Sequence, residues 1–284
     1  MPSIPVSVPT VASVLSLTAN LNDFVVWLVE REVLLGHWRC DFGTIHLPVA
    51  SGVEFRCRCG GGDTTHSIFS GSVFSSSRVS PGSVLLLVHE WLCDSRLSVA
   101  AARVGCSVRT VNLFFRRFRR LVAADLRRRP VRMSGNFRVA VDEMCWRVDR
   151  ESGRRVWVIG AVELSPERRL FVAELPTRSA EDIARALDGV IPPLSLLVTD
   201  RLPSYNVVAE ILSLRHATVR RFRHHRFRRR SVHTNAMEGS WPSVRRFLAR
   251  RRRLPLSESL AEFNWRVQNS ENLWNAFMAV LSIN

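Results

Sequence analysis

The sequence contains no lysine, so each of its 41 basic residues is an arginine. Its 25 acidic residues leave a formal net charge of +16. A guanidinium group is permanently charged, and its planar set of donors matches phosphate oxygens. A coding bias that turns lysine into arginine explains the missing lysine but not the net excess of positive charge. The excess predicts a polyanionic partner, and we expect nucleic acid.

Long apolar runs are also missing. The longest strongly apolar stretches are short, such as residues 84–88, whereas a membrane-spanning helix needs about 20 residues. Residues 1–22 carry no charged side chain, but they lack the basic start of a secretory signal, and Pro5 and Pro9 interrupt the apolar segment. Six cysteines in 284 residues are too few for a disulfide scaffold. We therefore expect no membrane span and a reducing compartment.

The remaining composition is that of a globular protein, because 46% of the residues are apolar and 23% are charged. The length allows two domains, or one domain with a substantial extension. Periodicity and composition predict four regions: an N-terminal segment with a short helix (1–35), a Gly- and Ser-rich segment (36–80), a three-helix segment (81–130) and an α/β domain (136–284).

The three-helix segment predicts helices at about 84–93, 98–104 and 107–122, with Gly105 ending the second and Ser107 capping the third. Two faces of the third helix differ in character. The apolar face has Val108, Val111, Phe115, Phe118 and Val122; the opposite face has Arg109, Asn112, Arg116, Arg119 and Arg120. One interpretation is a helix-turn-helix unit in which Arg109, Asn112, Arg116 and Arg119 contact DNA in the major groove. The other is a solvated face on a small helical bundle.

From residue 136 onward the apolar runs have the length of strands. They lie at residues 137–142, 156–162, 170–175 and 196–200, with helices expected at about 179–190, 204–213, 235–250 and 257–280. Several of these runs are apolar without alternation, as in strands that are covered on both faces. The pattern predicts an α/β fold with a mixed sheet flanked by helices.

Three carboxylates stand out by their positions in this domain. Asp142 and Asp200 each end a predicted strand, and Glu238 opens a predicted helix. Ligand sites of α/β proteins gather at strand ends, and carboxylate oxygens are ligands for Mg²⁺. Each acid also has a structural interpretation, because Asp often forms turns after strands, and Asn235-x-x-Glu238 fits a helix capping box.

Five ordered segments resemble the transposase domain of Merlin-superfamily elements and their bacterial insertion-sequence relatives. Three of the segments are Val141-Asp142-Glu143, residues 156–163 and the Thr199-Asp200-Arg201-Leu202-Pro203-Ser204-Tyr205 run. The other two are the more specific His233-Thr234-Asn235-Ala236-Met237-Glu238-Gly239-Ser240-Trp241 run and residues 260–266. Together they cover roughly residues 137–270.

The resemblance implies a ribonuclease-H-like domain in which Asp142, Asp200 and Glu238 are the D-D-E catalytic triad. They would bind Mg²⁺ or Mn²⁺ and cut DNA at element ends, and the resulting 3′-hydroxyl would then be joined to target DNA. The expected partner is double-stranded DNA, on which such enzymes act as homo-oligomers. The expected location is the nucleus in a eukaryote and the nucleoid-containing cytoplasm otherwise.

Most of the excess positive charge lies between Arg215 and Arg253, a stretch that contains 14 arginines and a single acidic residue, Glu238. We expect this stretch to contact DNA phosphates without reading sequence. The candidates are Arg228, Arg229, Arg230, Arg245 and Arg246, together with His233 and Asn235 from the matched segment. His233 has a structural hydrogen bond as its alternative role, and the Arg250–Arg253 run also fits a nuclear address.

Relatives of this kind often carry a zinc ribbon ahead of the catalytic domain. Here the first ligand pair reads His37-x2-Cys40, and the second is shortened to Cys57-x-Cys59. One imidazole and three cysteine thiolates suffice for a closed tetrahedral Zn²⁺ site. The alternative is a degenerate ribbon that binds no metal.

One departure from the family pattern bears on activity. Pro242 falls inside the helix predicted at 235–250, where it removes the hydrogen bond to the carbonyl of Glu238 unless the helix starts later. A transposase-derived DNA-binding protein without catalysis is therefore the alternative function. A structure-directed ribonuclease or resolvase on the same fold is a third hypothesis.

Overall fold

The computed structural model describes residues 8–49, 52–75, 79–149, 153–218 and 235–282. The chain divides into two compact units, which are residues 1–122 with 269–284, and residues 123–268. The final helix therefore belongs to the first unit, whereas the sequence had led us to expect it in the α/β domain.

The first unit combines helices with two small antiparallel hairpins. Its elements are α1 (Val11–Leu17), α2 (Leu21–Glu30), β1 (Trp38–Arg39), β2 (Ile45–His46), β3 (Glu54–Cys57), β4 (Thr64–Ser67), α3 (Pro81–Leu92), α4 (Leu97–Val104), α5 (Val108–Arg128, which continues into the second unit) and α11 (Leu273–Leu281). Strand β1 pairs with β2, and β3 pairs with β4.

Local signals explain the boundaries of the three predicted helices. Ser80 caps α3 by accepting a hydrogen bond from the backbone N–H of Ser83, and Pro81 occupies the first turn, where its missing N–H costs nothing. Gly105 ends α4 in the left-handed conformation, with a φ of 72°, as the sequence predicted. The three predicted helices are confirmed as α3, α4 and α5, although α5 runs six residues further than expected.

The apolar face of α5 differs from the predicted one. Its buried apolar residues are Val111, Phe114, Phe115, Phe118 and Val122, whereas Val108 is exposed. Phe118 packs against Trp91 of α3 and Phe277 of α11, with ring centroids 5.8 and 5.4 Å apart. The assignment of Val108 to the apolar face was wrong because the first turn of the helix lies outside this packed aromatic group.

Within the described part of the chain, no single helix has both the length and the apolar character to cross a membrane. Helices α1 and α2 meet those criteria only when counted together, and the chain bends by 102° between them.

The second unit is built on a mixed sheet, as predicted, and this sheet has five strands. Its elements are β5 (Arg138–Val148), β6 (Arg155–Glu163), β7 (Leu170–Leu175), α6 (Ala180–Leu187), β8 (Leu196–Thr199), α7 (Ser204–Ile211), β9 (Arg215–Thr218), α8 (Asn235–Glu238), α9 (Trp241–Ala249) and α10 (Leu256–Gln268). The strand order is β7-β6-β5-β8-β9, with β6 antiparallel to its neighbours and β8 parallel to β5 and β9. Strand β9 was not predicted, because its four residues carry charge and lack an apolar run.

Helices cover both faces of this sheet, and the side chains of β5 alternate between two cores. Val139 and Val141 pack with α6 and α7, whereas Ala140 and Met144 pack with α8, α9 and α10. Asp142 therefore points to the face of α8 and α9, and Glu143 points to the opposite face, as the alternation predicted.

The helix expected at 235–250 is interrupted. Helix α8 ends at Glu238, and α9 begins at Trp241, so Pro242 lies in the first turn of α9, where a proline is well tolerated. The N–H and the hydroxyl of Ser240 donate to the carbonyls of Met237 and Ala236 and stabilise the break. Pro242 thus separates two helices and does not distort one.

Candidate functional site

A cluster of four potential metal ligands lies in the two hairpins of the first unit. Cys40, His46, Cys57 and Cys59 each offer one ligand atom, and these atoms all lie within 4.8 Å of one another. Cys40 follows β1, His46 ends β2, Cys57 ends β3, and Cys59 lies two residues beyond. The hairpins therefore bring together ligands that are up to 19 residues apart in sequence.

The cluster has the size and chemistry of a structural zinc site. With Zn–S bonds of about 2.3 Å and Zn–N bonds of about 2.0 Å, tetrahedral ligand atoms lie about 3.5–3.8 Å apart. The Cys59 Sγ to His46 Nε2 distance is 3.9 Å, close to that value. Three sulfurs and one imidazole match a Cys₃His zinc site, so the donor set fits the metal.

The environment also favours thiolate at one of the ligands. Burial raises the pKa of Cys40, but hydrogen bonds from His46 and from the backbone of Phe42 and Thr44 outweigh it and lower that pKa to about 6. Because thiolate is the form that binds metal, this cysteine is prepared for coordination near neutral pH.

The sequence named the wrong histidine for this cluster. Trp38 and His46 are cross-strand partners, so their side chains share a face of the hairpin with Cys40, two residues beyond Trp38. His37 is three residues before Cys40, and the same alternation turns it to the other face; it is exposed and outside the cluster. The predicted Cys40, Cys57 and Cys59 are confirmed as members.

One of the predicted catalytic acids lies in a strand of the second unit, and a second follows the end of the neighbouring strand. In the parallel pairing of β5 with β8, Ala140 is the partner of Val198. Asp142 lies two residues after Ala140 in β5, and Asp200 follows Thr199, the last residue of β8. The carboxylate of Asp200 accepts a hydrogen bond from the N–H of Leu202 at 3.0 Å, which fixes the turn that follows β8.

Glu238 lies at the end of α8, which packs against β5 and β6. Met237, its neighbour, is fully buried in the core that includes Ala140 and Met144, while Glu238 itself is exposed. The acids thus come from strand β5, from the segment after the adjacent strand β8, and from a helix packed on β5.

Asp142 is buried, with 6% of its surface exposed, and its Oδ2 accepts a hydrogen bond from the indole N–H of Trp241 at 2.9 Å. Trp241 is itself buried in the core that includes Met237 and Val244. No local signal predicted its hydrogen bond to Asp142, because the two residues are 99 positions apart.

On the opposite face, Glu143 belongs to a separate buried group. Arg178 pairs with it at 3.2 Å and stacks over the ring of Trp157. Burial raises the pKa of Glu143, although Tyr205 and Arg178 act in the opposite direction. Tyr205 is fully buried and belongs to the core of the second unit.

The three predicted catalytic carboxylates do not form a single-ion cage. Within residues 8–49, 52–75, 79–149, 153–218 and 235–282, only the cysteine–histidine cluster has three or more ligand atoms mutually within 4.8 Å. The oxygens of Asp142, Asp200 and Glu238 are thus too far apart to share one ion as they stand.

The predicted DNA-contacting residues of α5 divide into two groups. Arg109 and Arg116 are exposed and Asn112 is half-buried, which is compatible with a contact surface. Arg119 is only 7% exposed, so its assignment to the DNA-facing side was wrong. It lies one position after Phe118 and turns into the packed side of the helix.

In the second unit, Arg245 and Arg246 are exposed on α9. The predicted contacts at Arg228, Arg229, Arg230 and His233 lie outside the described residues, as does the side chain of Asn235.

A comparison of the chain with known protein families and with curated proteins finds no match.

Proposed function

We propose that this protein is a DNA transposase of the D-D-E type with a zinc-stabilised N-terminal unit. The observation that supports the proposal is that Asp142 lies in β5, Asp200 follows the neighbouring parallel strand β8, and α8, which ends at Glu238, packs against β5. These are the acids that the family resemblance names, and they are remote from one another in sequence.

The sheet supports the fold implied by that resemblance. Strand β5 is central, β6 and β7 extend the sheet on one side, and β8 and β9 add in parallel on the other, an order that is consistent with the ribonuclease-H-like fold that the resemblance implies. Helices on both faces complete the comparison.

The acids fit a two-ion site better than a one-ion site. Two Mg²⁺ ions about 3.5–4 Å apart, each about 2.1 Å from its ligands, allow ligands on opposite ions to lie up to about 8 Å apart. In such a site Asp142, on the central strand of the sheet, would be the carboxylate that both ions share. When bound, such ions stabilise the attacking and the leaving oxygen of the phosphoryl transfer.

The residues of the chain have separate tasks in this scheme. Asp142, Asp200 and Glu238 hold the ions, and exposed arginines such as Arg116 and Arg245 bind DNA phosphates. Water first attacks the phosphorus at the element end, and the P–O bond to the 3′ oxygen breaks. The freed 3′-hydroxyl then attacks a target phosphodiester, and a second 3′-hydroxyl leaves.

A DNA-binding protein without catalysis is the second candidate. The specific observation in its favour is that the three carboxylates do not form a group within 4.8 Å among the described residues. Both candidates share the arginine-rich surface and the zinc cluster, so only a metal-dependent reaction separates them.

The test is strand cleavage with the full chain. The substrate is DNA that carries the coding sequence and its flanking regions, incubated with Mg²⁺ or Mn²⁺, and products are mapped by denaturing gels. We expect wild-type protein to nick near the coding sequence and Asp142→Asn and Asp200→Asn to be at least about 100-fold slower. Asp188→Asn, an exposed acid of the same unit, is the control. Equal cleavage by Asp142→Asn and wild type would refute the catalytic assignment, and no cleavage by wild type would favour the DNA-binding candidate.

A further inference from the structure

Asp142 has a contact with Trp241, the last residue of the matched segment 233–241, to which the sequence assigned no role at the acidic site. The indole N–H of Trp241 donates to Oδ2 of Asp142 at 2.9 Å, and both side chains are buried. An indole N–H can donate but cannot bind a metal ion, so its effect on a metal site must pass through the carboxylate.

A glycine in the neighbouring strand makes room for this contact. Gly160 is the cross-strand partner of Asp142. A Cβ atom at this position would lie 2.8 Å from Cη2 of Trp241 and 2.7 Å from Sδ of Met237. Separations below about 3 Å are not tolerated without movement, so the bare backbone of Gly160 seats the indole beside Asp142.

Trp241 also connects the two parts of the site. It begins α9, three residues after Glu238, the last residue of α8. The indole thus ties the break between these helices to the strand that carries Asp142. Any shift of α9 along the sheet moves the donor away from the carboxylate.

We propose that Trp241 is a positioning residue that orients the carboxylate of Asp142 for Mg²⁺, seated by the side-chain-free surface of Gly160. The inference rests on the proposed two-ion site and adds a specific determinant to it. Hydrogen-bonding partners of metal ligands fix ligand orientation, and their loss typically costs about 10–100-fold in metal affinity or activity.

The chain offers a matched control. Trp265 is equally buried, in the same unit, and its indole N–H also donates to a carboxylate, that of Asp125, at 2.9 Å. Trp265→Phe therefore removes the same kind of hydrogen bond and the same ring volume away from the acidic site.

The first measurement is the Mg²⁺ dependence of DNA cleavage by full-length protein. For Trp241→Phe we expect the Mg²⁺ concentration at half-maximal rate to rise about 10–100-fold, and for Trp265→Phe to stay within about twofold of wild type. Gly160→Ala, which keeps the indole but displaces it, is expected to shift in the same direction as Trp241→Phe. Equal shifts in Trp241→Phe and Trp265→Phe, or no shift in either, would overturn the positioning role.

A second measurement does not depend on cleavage. The indole N–H signals of the eight tryptophans are recorded by ¹H–¹⁵N NMR, and Trp241→Phe and Trp265→Phe identify the two signals of interest. We expect Mg²⁺ to shift the Trp241 signal and to leave that of Trp265 in place, and Asp142→Asn to abolish the shift. If wild-type protein cleaves no DNA but the shift remains, the transposase proposal fails and the positioning role stands. If Mg²⁺ leaves the Trp241 signal unchanged, the positioning role is refuted.

Discussion

Replacement of His46 by alanine is the sharpest test of the metal cluster, because structure and sequence name different histidines. Apparent binding free energies of structural zinc sites are about 10–16 kcal/mol. Divided over four ligands, this corresponds to about 2.5–4 kcal/mol for each, or about 100–1,000-fold in affinity. We expect His46→Ala to weaken Zn²⁺ binding by that factor and His37→Ala to leave it unchanged.

The assay is competition for Zn²⁺ with a chromophoric chelator under reducing conditions. Trp38 gives an independent signal, since its ring centroid lies 5.4 Å from that of His46 and binding will change its surroundings. His66→Ala is the control, because this histidine stacks on Trp38 at 4.0 Å but is not part of the cluster. His46→Cys replaces the imidazole with a thiolate and is expected to restore tight binding.

Two outcomes would contradict the reasoning. If His37→Ala weakens binding and His46→Ala does not, the hairpin register that groups His46 with Cys40 is incorrect. If wild-type protein takes up no Zn²⁺ with its cysteines reduced, the cluster is a degenerate site, which was the alternative from the sequence.

The remaining predictions concern two arginine-rich regions. Arg116→Ala should weaken binding to duplex DNA and lower the slope of log affinity against log salt by about 1, because an exposed phosphate contact is lost. Arg119→Ala should instead lower the melting temperature and leave that slope unchanged, since Arg119 is buried; a loss of DNA affinity without a loss of stability would contradict this placement. Glu262→Gln should destabilise the protein by about 3–5 kcal/mol in urea unfolding, because it leaves two buried arginine contacts, at 2.8 and 2.9 Å, without their anion. Burial raises the pKa of Glu262, but Arg266 and Arg251 lower it by more, so the pKa in the folded state lies below the ordinary value of 4.5. The stability that Glu262 contributes is therefore present above pH 4.5 and is lost as the pH falls through the folded-state pKa. If the stability difference between wild type and Glu262→Gln persists unchanged at more acidic pH, this assignment is refuted.

Local signals in the sequence determined a large part of this architecture. Ser80, Pro81 and Gly105 act through hydrogen bonds and φ preferences within a few residues, so α3 and α4 could be read from the chain alone. Continuous apolar runs likewise predicted four strands of the mixed sheet. Strand β9 could not be predicted because nothing in its own composition indicates a strand; it forms through its pairing with β8.

Features that depend on pairing between distant segments were beyond the sequence. The motif spacing predicted His37 as the ligand, but the pairing of the two-residue strands β1 and β2 places His46 on the same side of the hairpin as Cys40. Arg119 followed the charged pattern of its helix, yet aromatic packing along α5 buried it.

The three carboxylates Asp142, Asp200 and Glu238 show what the sequence predicts and what only the tertiary structure decides. The motifs showed the chain order of Asp142, Asp200 and Glu238, whereas only the structure showed that β5, which carries Asp142, pairs in parallel with β8, which precedes Asp200. The hydrogen bond from Trp241 to Asp142 came from a helix break at Ser240 and a missing side chain at Gly160. Sequence determines which side chains are available and the local conformation around each, but only the pairing and packing of remote segments decides which of them meet.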